Sequence, residues 1–195
     1  MAKNILLILG HPSENSFSKA LLDAYQKGAE SAGAICKTIY VSRLHFDVTL
    51  HDGYKNGEAM QLEEDLVNAQ RLIQWADHVV IAYPNWWGFM PAMLKGFIDR
   101  ILLPGFAFKH QSGKIFPEKL LKGKSLRLIV TMDTPKWWFY LIYRASQYQI
   151  LKDIVFGYVG FDPIRFSTFG FIRKSTDALR SKWLRKVEAL GKKLI

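Results

Sequence analysis

"HVVIAYPNWWGFMPAMLKGFIDRIL", His78 to Leu102, is the stretch on which the fold turns. It begins with a continuous apolar run, His78 to Tyr83, of the kind shown by a strand buried on both faces. It ends with Leu94, Phe97, Ile98 and Ile101 at helical spacing, the inner face of the next helix, and Pro91 stands where a first-turn proline is tolerated. Between strand and helix lies "PNWWG" (84–88), where a turn should be polar and two adjacent tryptophans stand instead. Rings beside Pro and Gly in a loop cannot both point into one core, and exposed aromatic groups mark binding surfaces. The unit therefore reads as strand, ligand loop, helix, with a loop suited to something flat.

The same alternation extends in both directions. Ile5–Leu9 reads as a strand, followed by a loop and a helix carrying Phe17, Ala20, Leu21, Ala24 and Tyr25, with Asn15, Ser16 and Ser18 as cap residues. "AICKTIYV", ending at Val41, is a second strand, and Leu62, Leu66, Ala69, Ile73 and Ala76 form the next helical stripe. Leu126–Thr131 is a further strand. An aromatic, helix-prone segment follows from Trp137 to Val155, then a strand at Ile164–Phe169 and a helix with Leu179, Trp183, Val187 and Leu190. Alternation of this kind predicts an α/β fold, a parallel sheet with helices on both faces. With no internal repeat, residues 1–195 read as one domain, with an irregular insertion at 103–124 that suits a hairpin or lid.

The composition, 49% hydrophobic over 195 residues, supports a real core. The net charge of +10 suits nucleic acid, an acidic membrane surface or anionic small ligands, or simply solvated lysine, since the basic residues are spread along the chain. No recognition motif accompanies the charge, so nucleic acid is the weakest reading. A lone cysteine, Cys36, leaves no disulfide and no thiolate metal cluster, no metal site is predicted, and a reducing cytoplasm fits. The first apolar run is far shorter than the roughly 20 residues of a membrane span, so neither a signal peptide nor an anchor is expected.

In parallel sheets ligands bind at the carboxyl ends of the strands, where the strand order reverses, so the loops there carry the chemistry. "GHPSENSFS" (10–18) lacks G-x-G-x-x-G, and "LKGKS" lacks the upstream glycine of a P-loop because position 118 is Glu. A helix N-terminus with hydroxyls is nonetheless an anion site, to which His11 adds a donor, although Ser16 and Ser18 equally well only cap the helix. "TMDTPKWWFYLIYR" (131–144) brings a second tryptophan pair, Trp137 and Trp138. One anion-binding loop and two aromatic loops on one edge describe a phosphate tail and a planar head, the shape of flavin mononucleotide. For Trp137–Tyr143 the competing reading is an amphipathic core or dimer helix.

"GHPSENSFSKAL" resembles the "H-x4-S-F-N/S" phosphate loop, and "YPNWWGFMPAMLKGFIDRI" the "P-x-x-W-x-x-x-P-A-x-L-K-G" signature, of the NAD(P)H:quinone oxidoreductase (diaphorase-type) family of flavodoxin-like flavoproteins. The resemblance implies a flavodoxin-like three-layer sandwich with a five-stranded parallel sheet of order 2-1-3-4-5. It implies that His11, Ser16, Phe17 and Ser18 hold the flavin phosphate and ribityl chain. Pro84, Asn85, Trp86, Trp87 and Gly88 would wrap the ring, with Trp87 as the wall and Trp86 as buried support. "GFAFKH" (105–110) resembles the aromatic segment that leans over the substrate pocket from the partner subunit, which places Phe108 and His110 there, with Trp87 and Trp137 as further walls.

After Thr131 the chain departs from the family: "TMDTP" replaces "T-T-G-G", and no histidine follows His110. Thr131, Met132, Asp133 and Thr134 are expected to line the ring through backbone groups, with Asp133 alternatively capping a helix before Pro135. The family's Tyr–His proton relay is not matched, which leaves His110, Asp133 and Tyr143 as candidates for proton transfer. The implied activity is hydride transfer from NAD(P)H by way of FMN, or FAD, to a quinone or similar planar acceptor. The implied assembly is a homodimer, with Phe97, Phe106 and Trp138 as apolar residues near the shared edge. The alternative is a regulatory flavoprotein docked on a membrane transporter or other partner.

Overall fold

Seven strands and seven α-helices, besides a short 3-10 turn and a π-helical stretch, are described in the computed structural model, which covers residues 2–51 and 62–195. Five parallel strands form the main sheet: β1 (Asn4–Leu9), β2 (Ile35–Tyr40), β3 (His78–Pro84), β6 (Ser125–Thr131) and β7 (Ile164–Phe169). Their spatial order is β2-β1-β3-β6-β7, the expected flavodoxin-like order once the two short strands of the insertion are set aside. Those are β4 (Phe108–Lys109) and β5 (Glu118–Lys119), paired antiparallel with Phe108 opposite Lys119, so the insertion does contain a hairpin.

Period-two alternation in the strands divides the core between the two faces of the sheet. Leu6, Ile8, Val79, Ile81 and Tyr83 pack beneath α2 (Glu64–Trp75) and α3 (Ala92–Ile101), and Ile5, Leu7, Leu9, Val80 and Ala82 beneath α1 (Phe17–Ser31) and α7 (Asp177–Lys192). Every residue of β3 is buried, as its unbroken apolar run requires. Pro91 is the residue before α3, with φ −56° and ψ 146°, rather than a member of its first turn. Phe97 does not face a subunit edge: it is 1% exposed, inside α3 against Phe46 at a centroid distance of 6.1 Å.

The aromatic segment is not one helix. It divides into α4 (Lys136–Leu141), α5 (Ser146–Gln149), a π-helical stretch (Ile150–Phe156) and α6 (Gly157–Val159). The first break falls where Arg144 (φ +53°) and Ala145 (φ +45°) take left-handed conformations, which no α-helix of L-residues continues through. Among the described residues, no helix is long and apolar enough to cross a membrane.

Candidate functional site

The loops after β1, β3, β6 and β7 converge at the carboxyl edge of the sheet. In the first, the Ser13 N–H donates to His11 Nδ1 at 2.9 Å, which puts the proton of the neutral imidazole on Nε2. Burial lowers the pKa of His11 below its usual value. Glu14 accepts both arms of the Arg43 guanidinium at 2.5 Å, tying the loop to the end of β2. Ser16 is the N-cap of α1, its hydroxyl accepting from the Lys19 N–H at 3.3 Å. The Phe17 and Ser18 N–H groups then have no acceptor among the described residues, and they carry the positive end of a fifteen-residue helix. The buried Ser18 hydroxyl lies 3.0 Å from Thr131 Oγ1, which fixes α1 to the end of β6.

In the second loop the Trp86 N–H donates to Phe89 O at 2.9 Å and the Phe89 N–H to Trp86 O at 3.0 Å. With φ +52° at Trp87 and +82° at Gly88, this is a two-residue turn of type I′. Gly88 adopts that conformation freely, whereas in Trp87 it is unfavourable by roughly 1–2 kcal/mol, strain of the kind that clusters at ligand sites. The result is that Trp87 stands entirely in solvent, and its N–H and that of Gly88 have no acceptor among the described residues. Trp86 is not buried support: it is 46% exposed, because the turn lifts both side chains past the sheet edge, and its ring meets His11 edge-on at 5.7 Å.

Two cavities adjoin here. The smaller, about 260 Å³, has His11, Phe17 and Ser18 on one side, Pro84, Asn85 and Trp86 on another, and Thr131, Met132 and Asp133 opposite. The larger, about 540 Å³, runs from Asn85, Trp87 and Gly88 to Thr134 and on to Phe139, Tyr143, Ser146 and Gln147. Asn85 belongs to both, and its Oδ1 is buried without a hydrogen-bond partner. Gln147, 3% exposed, has neither amide atom paired.

Most residues expected at the site are thus brought together, with Ser16 contributing as the cap. Phe108, His110 and Trp137 line neither cavity. Phe108 packs on His110 at 5.3 Å and Tyr158 at 5.6 Å, and Trp137 lies exposed against Trp138 at 5.4 Å. Asp133 does not cap α4: it accepts the Arg173 N–H at 2.8 Å and pairs with its Nε at 2.9 Å. The Met132 N–H is spent on Phe169 O at 2.8 Å and that of Trp86 on Phe89, so neither is free for a ligand. Sequence reasoning missed Ile172 and Arg173, which close the smaller cavity, and Phe139, Ser146 and Gln147 in the larger. The first two were findable, since the loop after the fifth strand ends on the same sheet edge.

These groups fit a flavin. Unpaired N–H groups at the start of α1 suit a phosphate, while the free Trp87 and Gly88 N–H groups, Asn85 Oδ1 and the Gln147 amide suit the polar edge of a flat ring.

Comparison with known proteins agrees with this architecture. A family model for the flavodoxin-like fold matches residues 3–190. An uncharacterised NAD(P)H oxidoreductase of Haemophilus influenzae is 28% identical over 181 residues, covering 91% of this chain and 88% of that protein. A ribosyldihydronicotinamide dehydrogenase [quinone] of Pongo abelii is 38% identical over 87 residues, 45% of this chain and 36% of that protein. A crystal structure from Streptococcus mutans superposes with a TM-score of 0.85 at 30% identity, covering 97% of this chain and 99% of that one. With the strand order, the edge loops and a match over nearly its whole length in agreement, the chain belongs to the flavodoxin-like fold family.

Proposed function

We propose that the chain is an FMN-dependent oxidoreductase that uses NAD(P)H to reduce a planar, quinone-like acceptor: NAD(P)H + H⁺ + quinone → NAD(P)⁺ + quinol. The observation that carries the reading is the pair of adjoining cavities sharing Asn85, one ending on the bare N-terminus of α1 and the other walled by aromatic rings and unpaired amides. The names of the Haemophilus and Pongo relatives support the donor and the class of acceptor.

When bound, a flavin would supply two-electron hydride chemistry between the nicotinamide donor and the acceptor. The chain supplies binding and orientation. The Phe17 and Ser18 N–H groups and His11 Nε2–H would hold the phosphate, and the ion pair of Asp133 and Arg173 lines the same cavity. The Trp87 and Gly88 N–H groups offer donors toward negative charge that develops on the ring. Trp87, Phe139 and Tyr143 form the aromatic walls for donor and acceptor in alternation. Tyr143 is the phenol of the larger cavity, which also holds the aliphatic hydroxyls of Thr134 and Ser146, and we assign proton delivery to the acceptor to it, the most acidic of the three.

The reading includes a homodimer. Phe108 and His110 lie on an insertion that also leaves Ile115 93% and Phe116 76% exposed, as a segment reaching toward a second copy would. It also includes the reducing cytoplasm, where Cys36, raised to about 11 by burial, stays a thiol. Steady-state oxidation of NADH and NADPH with a short-chain, water-soluble quinone tests the activity, and flavin-loaded protein that oxidises neither would overturn it.

A further inference from the structure

Gln147 is buried at a cost that the folded chain does not recover. Its side chain is 3% exposed, and neither Nε2 nor Oε1 has a hydrogen-bond partner among the described residues, an unfavourable state for an amide. The backbone that places it there is unfavourable too. Arg144 (φ +53°) and Ala145 (φ +45°), immediately before α5, are left-handed, and α5 runs on into the π-helical stretch, a form that occurs mostly at functional sites. The position is nevertheless firmly held. The Ala145 N–H donates to Phe139 O at 3.0 Å and the Tyr148 N–H to Ala145 O at 2.8 Å, while the Tyr148 ring stacks on Phe166 at 4.0 Å and its hydroxyl lies 2.7 Å from Thr168 Oγ1. A fixed, unpaired amide in the wall of a cavity of about 540 Å³ marks a ligand contact.

The surroundings define which contact. Among the described residues no Lys, Arg, His, Asp or Glu lines the larger cavity, so charge that enters it is met by dipoles alone. Hydride carries two electrons and one proton, and a ring that accepts it therefore gains one negative charge, shared by its nitrogens and carbonyl oxygens, until a second proton arrives. An N–H group that donates to such an oxygen holds the reduced ring more strongly than the oxidised one, because hydrogen bonds to an ionised acceptor are roughly twice as strong as neutral ones. Tyr143 and Ser146 are exposed and share their hydroxyls with water, Thr134 is half-buried, and the unpaired atom of Asn85 is an acceptor. Gln147 Nε2 is the side-chain donor of this cavity that is buried without a partner.

We infer that Gln147 sets the redox balance of the bound flavin: its amide N–H donates to a carbonyl oxygen on the polar edge of the ring and favours the reduced form. The inference rests on the flavin site proposed above and adds to it the residue that tunes the ring.

The test is the midpoint potential of FMN bound to wild type, Gln147→Leu and Gln147→Glu, measured by anaerobic equilibration with a redox dye, together with the Kd of oxidised FMN for each. Both replacements are close in size to glutamine. Gln147→Leu is expected to weaken reduced FMN about tenfold more than oxidised FMN, which lowers the midpoint potential by about 30 mV. Gln147→Glu should lower it at least as far while its carboxylate is ionised, and the gap from wild type should narrow as the pH falls and the carboxyl regains a proton that it can donate. Equal losses of affinity for both redox forms, with the potential unchanged, would make the amide a structural contact and overturn the inference. An unchanged potential with a raised KM for NADH would assign the amide to the nicotinamide carboxamide and overturn it as well. A chain that takes up no flavin removes the site itself, whereas FMN bound at one potential in all three proteins keeps the site and removes only the role of Gln147.

Discussion

Trp87 holds a left-handed backbone and exposes its whole ring, so it stabilises the folded chain by neither conformation nor burial. Trp87→Gly should therefore leave the melting temperature unchanged or raised, while flavin or acceptor affinity falls by the roughly 1–3 kcal/mol of a lost aromatic contact. A melting temperature several degrees lower would show that the ring packs on the protein itself. Trp86→Ala, which removes a ring from the smaller cavity and from His11, should also weaken flavin binding, and its effect on stability should be modest because the side chain is half exposed. Gln147→Leu should act in opposite directions on the two properties. Removing an unpaired buried amide should stabilise the ligand-free chain by about 1–3 kcal/mol, measured by denaturant titration, and lower ligand affinity, measured by flavin titration. At this scale the sequence was legible where chemistry and local backbone coincide. His11, Ser18, Asn85 and Trp87 lie in loops whose signature could be read, whereas Gln147 reaches the cavity only because the left-handed Arg144–Ala145 pair turns the chain back, and no periodicity announces that.

Among the elements, α1 and α7 approach so closely that glycine is required on both. A Cβ on Gly28 would lie 2.0 Å from Glu188 O, and one on Gly191 2.1 Å from Tyr25 O. Gly28→Ala should thus cost about 1–3 kcal/mol or more, since both obstructing atoms are backbone and only a shift of the helices relieves them. Flavin affinity should fall with it, because α1 carries the anion-binding N–H groups; chemical denaturation and flavin titration of the same variant check both effects. The five strands of the main sheet and the helices α1, α2, α3 and α7 follow from hydrophobic period, with a serine cap marking the start of α1. The segment 136–159 does not, because its aromatic residues suit helix and interface equally, and the break depends on backbone conformations that Arg and Ala seldom take. Phe97 was read correctly as part of the inner face of α3, where it is buried with Leu94, Ile98 and Ile101; that same burial removes it from the residues near a subunit edge.

For the molecule as a whole, acid is the predicted weakness. His78 is fully buried beside the Tyr25 ring, with Nδ1 2.7 Å from Ser125 Oγ, and burial, with Lys3 and Arg127 nearby, pushes its pKa down to about 3. The unfolded chain takes up this proton below about pH 6.5 and the folded chain does not, so the contribution is complete above that pH. It should decline by about 1.4 kcal/mol per pH unit as the pH falls toward about 3. Denaturant titrations of wild type and His78→Gln at pH 7 and pH 4.5 check this: the variant should show a shallower decline, and parallel declines would contradict it. The homodimer follows if the insertion carries Phe108 and His110 to a second copy, and light scattering of the active protein decides that. The central claim, that the sheet edge is a flavin site, is tested most directly by titrating the ligand-free protein with FMN and with FAD, following absorbance and the mass of the compound released on denaturation. Saturation at one flavin per chain, with FMN the tighter, is the predicted result; a protein that remains colourless with both would contradict the account.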